Sequence, residues 1–147
     1  VKSHFDRLFA LIAAHRGAVV KTIGDAVMGT FTDPVDALRA CQAIHAAFPP
    51  SDDERVLRLR ISVNTGPCIA VRLNANIDYF GHAVNLAAKL QACAESWQVA
   101  MSPETYAAPG VADFLRGAGG QLADVPLTLK GIDAPVVAKQ WTLATMP

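Results

Sequence analysis

Between Ala18 and Phe31 the chain can do little other than fold back on itself. Ala18-Val19-Val20 is a short β-branched run, and Ala26-Val27-Met28 leads through Gly29 to Phe31. Of the residues between the two runs, only Gly24 easily takes a positive φ. The reading is two short strands about a tight turn, with Asp25 at the tip. A carboxylate held by a turn between buried strands can bind a hard cation such as Mg²⁺, which takes one or two protein carboxylates and fills its shell with water and phosphate oxygens. Turn chemistry alone also accounts for a Gly-Asp pair.

The remaining composition bounds the class. With 147 residues, 52% of them apolar, the natural expectation is one soluble globular domain spanning 1–147. The 13 basic residues balance 13 acidic ones, so bulk charge points to neither a nucleic acid nor a membrane surface. Apolar runs such as Leu8 to Ala14 are too short to cross a bilayer, and no charged-then-apolar leader opens the chain. Cys41, Cys68 and Cys93 are odd in number and widely spaced, which fits buried reduced thiols and a cytoplasmic setting. The chain begins at Val1 with helical periodicity almost at once, and it reads as a piece of something longer.

From Lys2 to His15, Phe5, Leu8, Phe9 and Ile12 paint one face of a helix that Gly17 ends. After the hairpin, Asp33-Pro34-Val35-Asp36 starts a second helix, with Val35, Leu38, Cys41 and Ile44 as its buried stripe as far as Phe48. Leu57, Leu59, Ile61 and Val63 alternate with Arg58, Arg60 and Ser62, the pattern of a strand with one wet face. Cys68–Val71 reads as a further strand and Leu73–Ile77 as a polar connection, placing Asp78 and Tyr79 just before a helix from about His82 to Glu95. On that helix Asn85 and Lys89 stack four apart and point away from the stripe of Leu86, Leu90 and Cys93. Gln98–Met101 reads as a strand, Ser102-Pro103-Glu104 opens a short helix ending near Pro109-Gly110, and Gly117–Gly120 is a loop. Leu127–Leu129 and Val136–Ala138 with Trp141 read as two closing strands. The intermingled order predicts an α+β sheet covered by helices.

Three stretches in order, Lys21-Thr22-Ile23-Gly24-Asp25-Ala26-Val27-Met28, then Asn64-Thr65-Gly66-Pro67 with Asp78-Tyr79-Phe80-Gly81-His82-Ala83-Val84-Asn85-Leu86-Ala87-Ala88-Lys89, then Leu129-Lys130-Gly131 with Pro135, resemble the class III adenylate/guanylate cyclase catalytic domains. The likeness runs to about Leu143. It implies a ferredoxin-like nucleotide cyclase fold with a mixed, mainly antiparallel sheet. It also implies an enzyme that makes 3′,5′-cyclic AMP and pyrophosphate from ATP with Mg²⁺ or Mn²⁺ in a two-metal site, working as a head-to-tail homodimer.

By that resemblance Asp25 is one of two metal-binding aspartates, and Lys21 and Asp78 read the purine. A lysine donates to adenine N1 and an aspartate accepts from the 6-amino group, whereas guanine presents the opposite pattern. Taken singly, Lys21 is also a strand-end lysine and Asp78 a turn residue. Asn85 matches the ribose-positioning asparagine and Lys130 the lysine that contacts the terminal phosphates. Asp25 would act with the partner's Lys21 and the partner's Asp78, and with the partner's Asn85, the partner's Lys89 and the partner's Lys130, across the dimer.

Two departures stand out. Lys89 replaces an arginine that stabilises the transition state; it keeps the charge and loses the bidentate fork, so reduced turnover is expected. The first metal-binding aspartate of the family, in a Phe-x-Asp-Ile-x-Gly-Phe-like segment, has no counterpart before Phe5; Asp6 falls within the helix pattern, and His82 receives no role. The expectation is that this chain alone turns over weakly or not at all, the longer parent being the enzyme, and that the absent strand leaves a gap in the sheet. The alternative is a catalytically silent module for ATP binding or dimerisation; a guanylate cyclase is disfavoured by Lys21 and Asp78.

Overall fold

A computed structural model describes residues 2–23, 26–49, 59–66, 69–73, 76–128 and 136–144. The chain opens with α1 (Lys2–Ala14), β1 (Ala18–Ile23), β2 (Ala26–Thr30), α2 (Pro34–Ala47) and β3 (Ile61–Val63). Next come β4 (Ile69–Leu73), β5 (Asn76–Phe80) and α3 (His82–Leu90), which runs into a 3-10 turn at Gln91–Cys93. β6 (Gln98–Met101), α4 (Pro103–Ala107), α5 (Val111–Ala118), β7 (Gln121–Leu127) and β8 (Val136–Thr142) complete it. The pairing is mixed and mainly antiparallel: among the described residues only β3 with β6 is parallel.

Local chemistry explains the clearest elements. Asp33 caps α2, its carboxylate accepting from Val35 N at 2.9 Å, and Pro34 supplies a first-turn residue with no N–H to satisfy. At the other end Phe48 N donates to Ile44 O at 3.0 Å. α1 stops differently from expectation. Arg16, not Gly17, takes the left-handed turn at φ 69°. Gly17 is needed instead for close approach, because a Cβ there would meet the Phe31 ring and lie 2.8 Å from Ile12 Cγ2.

Side-chain alternation sorts the layers. In the four-stranded sheet β3-β6-β8-β7, Val99, Met101 and Trp141 face Leu38 and Cys41 of α2 and Val111 and Leu115 of α5. Ala100 and Ala138 point the other way, against Leu86 and Leu90 of α3. α1 and α2 bury Leu8, Ile12, Ile44 and Phe48 with Val19, Val27 and Phe31 of the β1–β2 hairpin and with Ile61 of β3. Among the described residues the β1–β2 and β4–β5 ladders are separate from the four-stranded sheet.

Several expectations need correction. Leu73, Asn76 and Ile77, expected in a connection, are strand residues: β4 and β5 pair from Ile69 with Phe80 to Leu73 with Asn76, so Asp78 lies within a strand opposite Val71, and residues 74–75 lie outside the described residues. Cross-strand pairing outweighs the low strand propensity of Asn and Asp here. The helix expected to reach Glu95 ends at Leu90, with the 3-10 turn after it. Of the strand expected from Leu57, the described residues show Ile61–Val63, and Leu57 and Arg58 lie outside the described residues. α5 continues through Ala118, where a Gly-rich loop was expected. The penultimate strand is not Leu127–Leu129 but Gln121–Leu127. Its Asp- and Pro-containing sequence fits because β7 is exposed and, among the described residues, pairs only with β8.

Burial also marks two kinds of titratable group. Cys41 is buried, and desolvation pushes its thiol up to about 12; burial raises Cys93 too. Both are free and unreactive core residues, as expected, while Cys68 lies outside the described residues. His45 is buried on α2, where Nε2–H donates to Gln98 O at 2.8 Å and the ring lies 5.9 Å from that of Trp97. Burial holds its imidazole below the ordinary value, outweighing the hydrogen bond to Gln98. The unfolded state therefore binds the extra proton first. The His45 contribution to stability should be complete above about pH 6.5 and be lost as pH falls below it. His45→Gln, which keeps a donor and does not titrate, should flatten the slope of unfolding free energy between pH 7 and 5; an unchanged slope would remove His45 as its source.

Candidate active site

Lys21 stands on β1 immediately after an irregularity in the hairpin. Val19 pairs with Gly29 and Lys21 with Met28, so β1 carries one extra residue between them. Such a bulge re-aims the side chains that follow it. Lys21 is half-buried. Asp78 occupies β5, and β1 and β5 lie against one another, so the two strands that carry the expected purine-reading pair are neighbours.

Asn85 and Lys89 are both exposed on α3, one turn apart. α3 rests on β3, β5 and β6. Its first turn begins at Gly81, whose carbonyl accepts from Asn85 N at 3.3 Å. The helix that bears Asn85 and Lys89 is thus packed on the strand that bears Asp78.

Asp25 and Lys130 lie outside the described residues. The pairs that bracket them are described: Ile23 with Ala26 around Asp25, and Leu127 with Val136 around the segment holding Lys130. Asp6 is exposed on α1, where the helix pattern put it. Among the described residues no group of three or more His, Cys, Asp and Glu side chains could hold a metal ion. Among them too, no helix is long and apolar enough to cross a membrane.

Sequence reasoning missed the polar side chains beneath this surface. Ser62, expected on a wet strand face, is half-buried under α3 and donates from Oγ to Ala87 O at 2.5 Å. Fully buried Ser102 and Thr105 form a hydroxyl cluster with Thr65: Thr65 Oγ1 is 2.8 Å from Thr105 Oγ1, which is 3.0 Å from Ser102 Oγ. Alternation alone could not reveal that a helix covers the polar face of β3.

A helix-covered, mainly antiparallel α+β sheet, with a lysine strand and an aspartate strand in contact beside an outward Asn-x-x-x-Lys helix, has the layout of a nucleotide cyclase domain. The sequence profile of the adenylate and guanylate cyclase catalytic domain family matches residues 1–115, and the chain belongs to that family. It is 39% identical over 128 residues to an uncharacterized protein of Mycobacterium tuberculosis, covering 87% of this chain and 30% of that protein. It is 26% identical to the receptor-type adenylate cyclase GRESAG 4.1 of Trypanosoma brucei brucei, over 100% of this chain and 15% of the relative. The chain thus spans only about a third or less of these relatives. An adenylate cyclase of Trypanosoma brucei, solved in its monomeric state, superimposes with a TM-score of 0.80 at 20% identity, covering 97% of this chain and 77% of that one. An adenylate/guanylate cyclase/hydrolase of Silicibacter pomeroyi gives 0.77 at 28% identity, covering 98% and 83%. The expected ferredoxin-like cyclase fold is borne out.

Proposed function

We propose that this chain is an adenylate cyclase catalytic domain that converts ATP to 3′,5′-cyclic AMP and pyrophosphate in cyclic nucleotide signalling at a cytoplasmic location. The observation that carries this reading is the contact between β1 and β5, which brings the Lys21 and Asp78 strands together with α3 packed on β5. In the reaction the ribose 3′-hydroxyl gives up its proton to water as its oxygen bonds to the α-phosphorus, the bond from that phosphorus to the bridging oxygen breaks, and pyrophosphate leaves with that oxygen. Catalysis of that kind is mostly positioning and charge stabilisation.

Each residue then has a task. Lys21 donates to adenine N1, Asp78 accepts from the 6-amino group, Asn85 orients the ribose, Lys130 holds the terminal phosphates, and Lys89 offsets the charge that develops at the α-phosphate. Lysine at position 89 makes that last task weaker than an arginine fork would. Mg²⁺ or Mn²⁺ would neutralise triphosphate charge, with Asp25 as the ligand from this chain. A head-to-tail homodimer would place Asp25, Lys21 and Asp78 of the appropriate chains around one ATP. The second reading, a silent ATP-binding or dimerisation module, is favoured by Lys89, which lacks the bidentate fork of an arginine.

The test is to assay ATP and GTP with Mn²⁺ on a chain extended upstream of Val1 by the aspartate-bearing segment. ATP should be preferred by at least about 10²-fold, because guanine would set donor against donor and acceptor against acceptor at both contacts. Cyclic GMP as the main product would refute the adenine assignment. No product from either nucleotide would favour the binding module.

A further inference from the structure

One face of β3 and its flanks is bonded to α3 at three levels. Asn64 Nδ2 donates to Ala83 O at 2.8 Å, Ser62 Oγ donates to Ala87 O at 2.5 Å, and Gln91 Nε2 donates to Arg60 O at 3.2 Å. Ser62 and Asn64 reach α3 with their side chains from β3 and the residue just after it, while the Arg60 main-chain carbonyl receives Gln91 from the 3-10 turn that follows α3. The three bonds run antiparallel along the strand and the helix. Asn85 and Lys89 stand two residues beyond Ala83 and Ala87, about 200° round the axis, and so point directly away from the strand.

The apolar side of α3 buries Leu86 and Leu90 against Ala100 and Ala138, with Val125, Leu127 and Val136 packed around them, which holds the helix on the sheet. Hydrogen bonds add direction. The loop presenting Asn64 is itself held, since Thr65 bonds to buried Thr105 and a Cβ at Gly66 would lie 3.1 Å from the Ala83 methyl. Asn64 Oδ1 is buried with no partner among the described residues.

We propose that Ser62, Asn64 and Gln91 are positioning residues that fix the rotation and axial register of α3, and through it the placement of Asn85 and Lys89 on the nucleotide. The tether stands on geometry alone; its kinetic consequence rests on the adenylate cyclase reading. Misplacing catalytic groups by about 1 Å costs up to about 10²-fold in rate, while nucleotide affinity set by the purine contacts is spared.

Two measurements on Ser62→Ala, Asn64→Ala and Ser62→Thr decide it. Amide hydrogen exchange of residues 83–91, without nucleotide, reads the tether. Steady-state kinetics on the upstream-extended chain reads the consequence. Both alanine variants should lose α3 protection and about tenfold or more in kcat with KM nearly unchanged, and Ser62→Thr, which keeps the hydroxyl, should restore both. Unchanged α3 exchange in the alanine variants would overturn the tether. Lost protection with kcat intact, or with KM rising while kcat holds, would overturn the positioning role. If the unmodified extended chain turns over neither nucleotide, the functional reading fails separately, and the exchange data still decide the tether.

Discussion

An equimolar mixture of Asp25→Ala and Asn85→Ala chains, each nearly inactive alone, should regain about a quarter of the unmodified cyclic AMP output. In a head-to-tail homodimer each site would draw Asp25 from one subunit and Asn85 from the other. The mixed dimer then has one site with both substitutions and one with neither. Half of the dimers are mixed, and half of their sites are whole, which sets the expected fraction. Single variants should each fall at least about 10²-fold, because several kcal/mol of charge stabilisation or substrate orientation is lost. The assay mixes, unfolds or exchanges subunits of upstream-extended chains and follows product from ATP. Recovery no greater than the sum of the separate variants would show that the two residues serve one site within one chain, and the shared-site dimer would have to be abandoned.

The largest expected effect on stability comes from Trp141→Ala. Trp141 is 1% exposed, and its Nε1 donates to Gly119 O at 3.0 Å. Its ring meets Phe114 edge-on with centroids 6.0 Å apart, and it sits among Leu38, Val99, Val111 and Leu115. Removing it opens a cavity where α2, α5 and the four-stranded sheet meet and leaves a helix-end carbonyl without its donor. The cost should be about 3–5 kcal/mol, with Tm lower by roughly 10 °C. Leu122→Ala, on the neighbouring strand position at 44% exposure, should cost under about 1 kcal/mol. Denaturant unfolding of both variants separates the cases. Similar losses would mean that Trp141 is not the centre of this core.

Much of the scaffold was legible because short-range chemistry writes it locally. Asp33-Pro34 announces the start of α2 through a cap and a fixed φ, and Leu38, Cys41 and Ile44 reveal its buried face through their spacing. The β1–β2 hairpin is visible in the same way, from β-branched runs about a glycine. Two of the misread stretches share a trait. Asn76–Phe80 and Gln121–Leu127 each contain an Asp together with an Asn or a Pro, residues of low strand propensity, and are held by their partners β4 and β8; local propensity is silent about partners.

The candidate site divides along the same line. The sequence motifs by themselves carried the resemblance to the cyclase family and the outward Asn85 and Lys89 pair, and the proposed match of Lys21 and Asp78 to adenine follows from that resemblance. The tertiary structure alone decided that β1 lies against β5, that Asp78 belongs to a strand, and that the polar face of β3 is roofed by α3 instead of by water. The physical reason is range. Turns, caps and helical faces follow from neighbours a few residues apart, whereas a hydrogen bond between Ser62 and Ala87 exists only once two distant segments have packed.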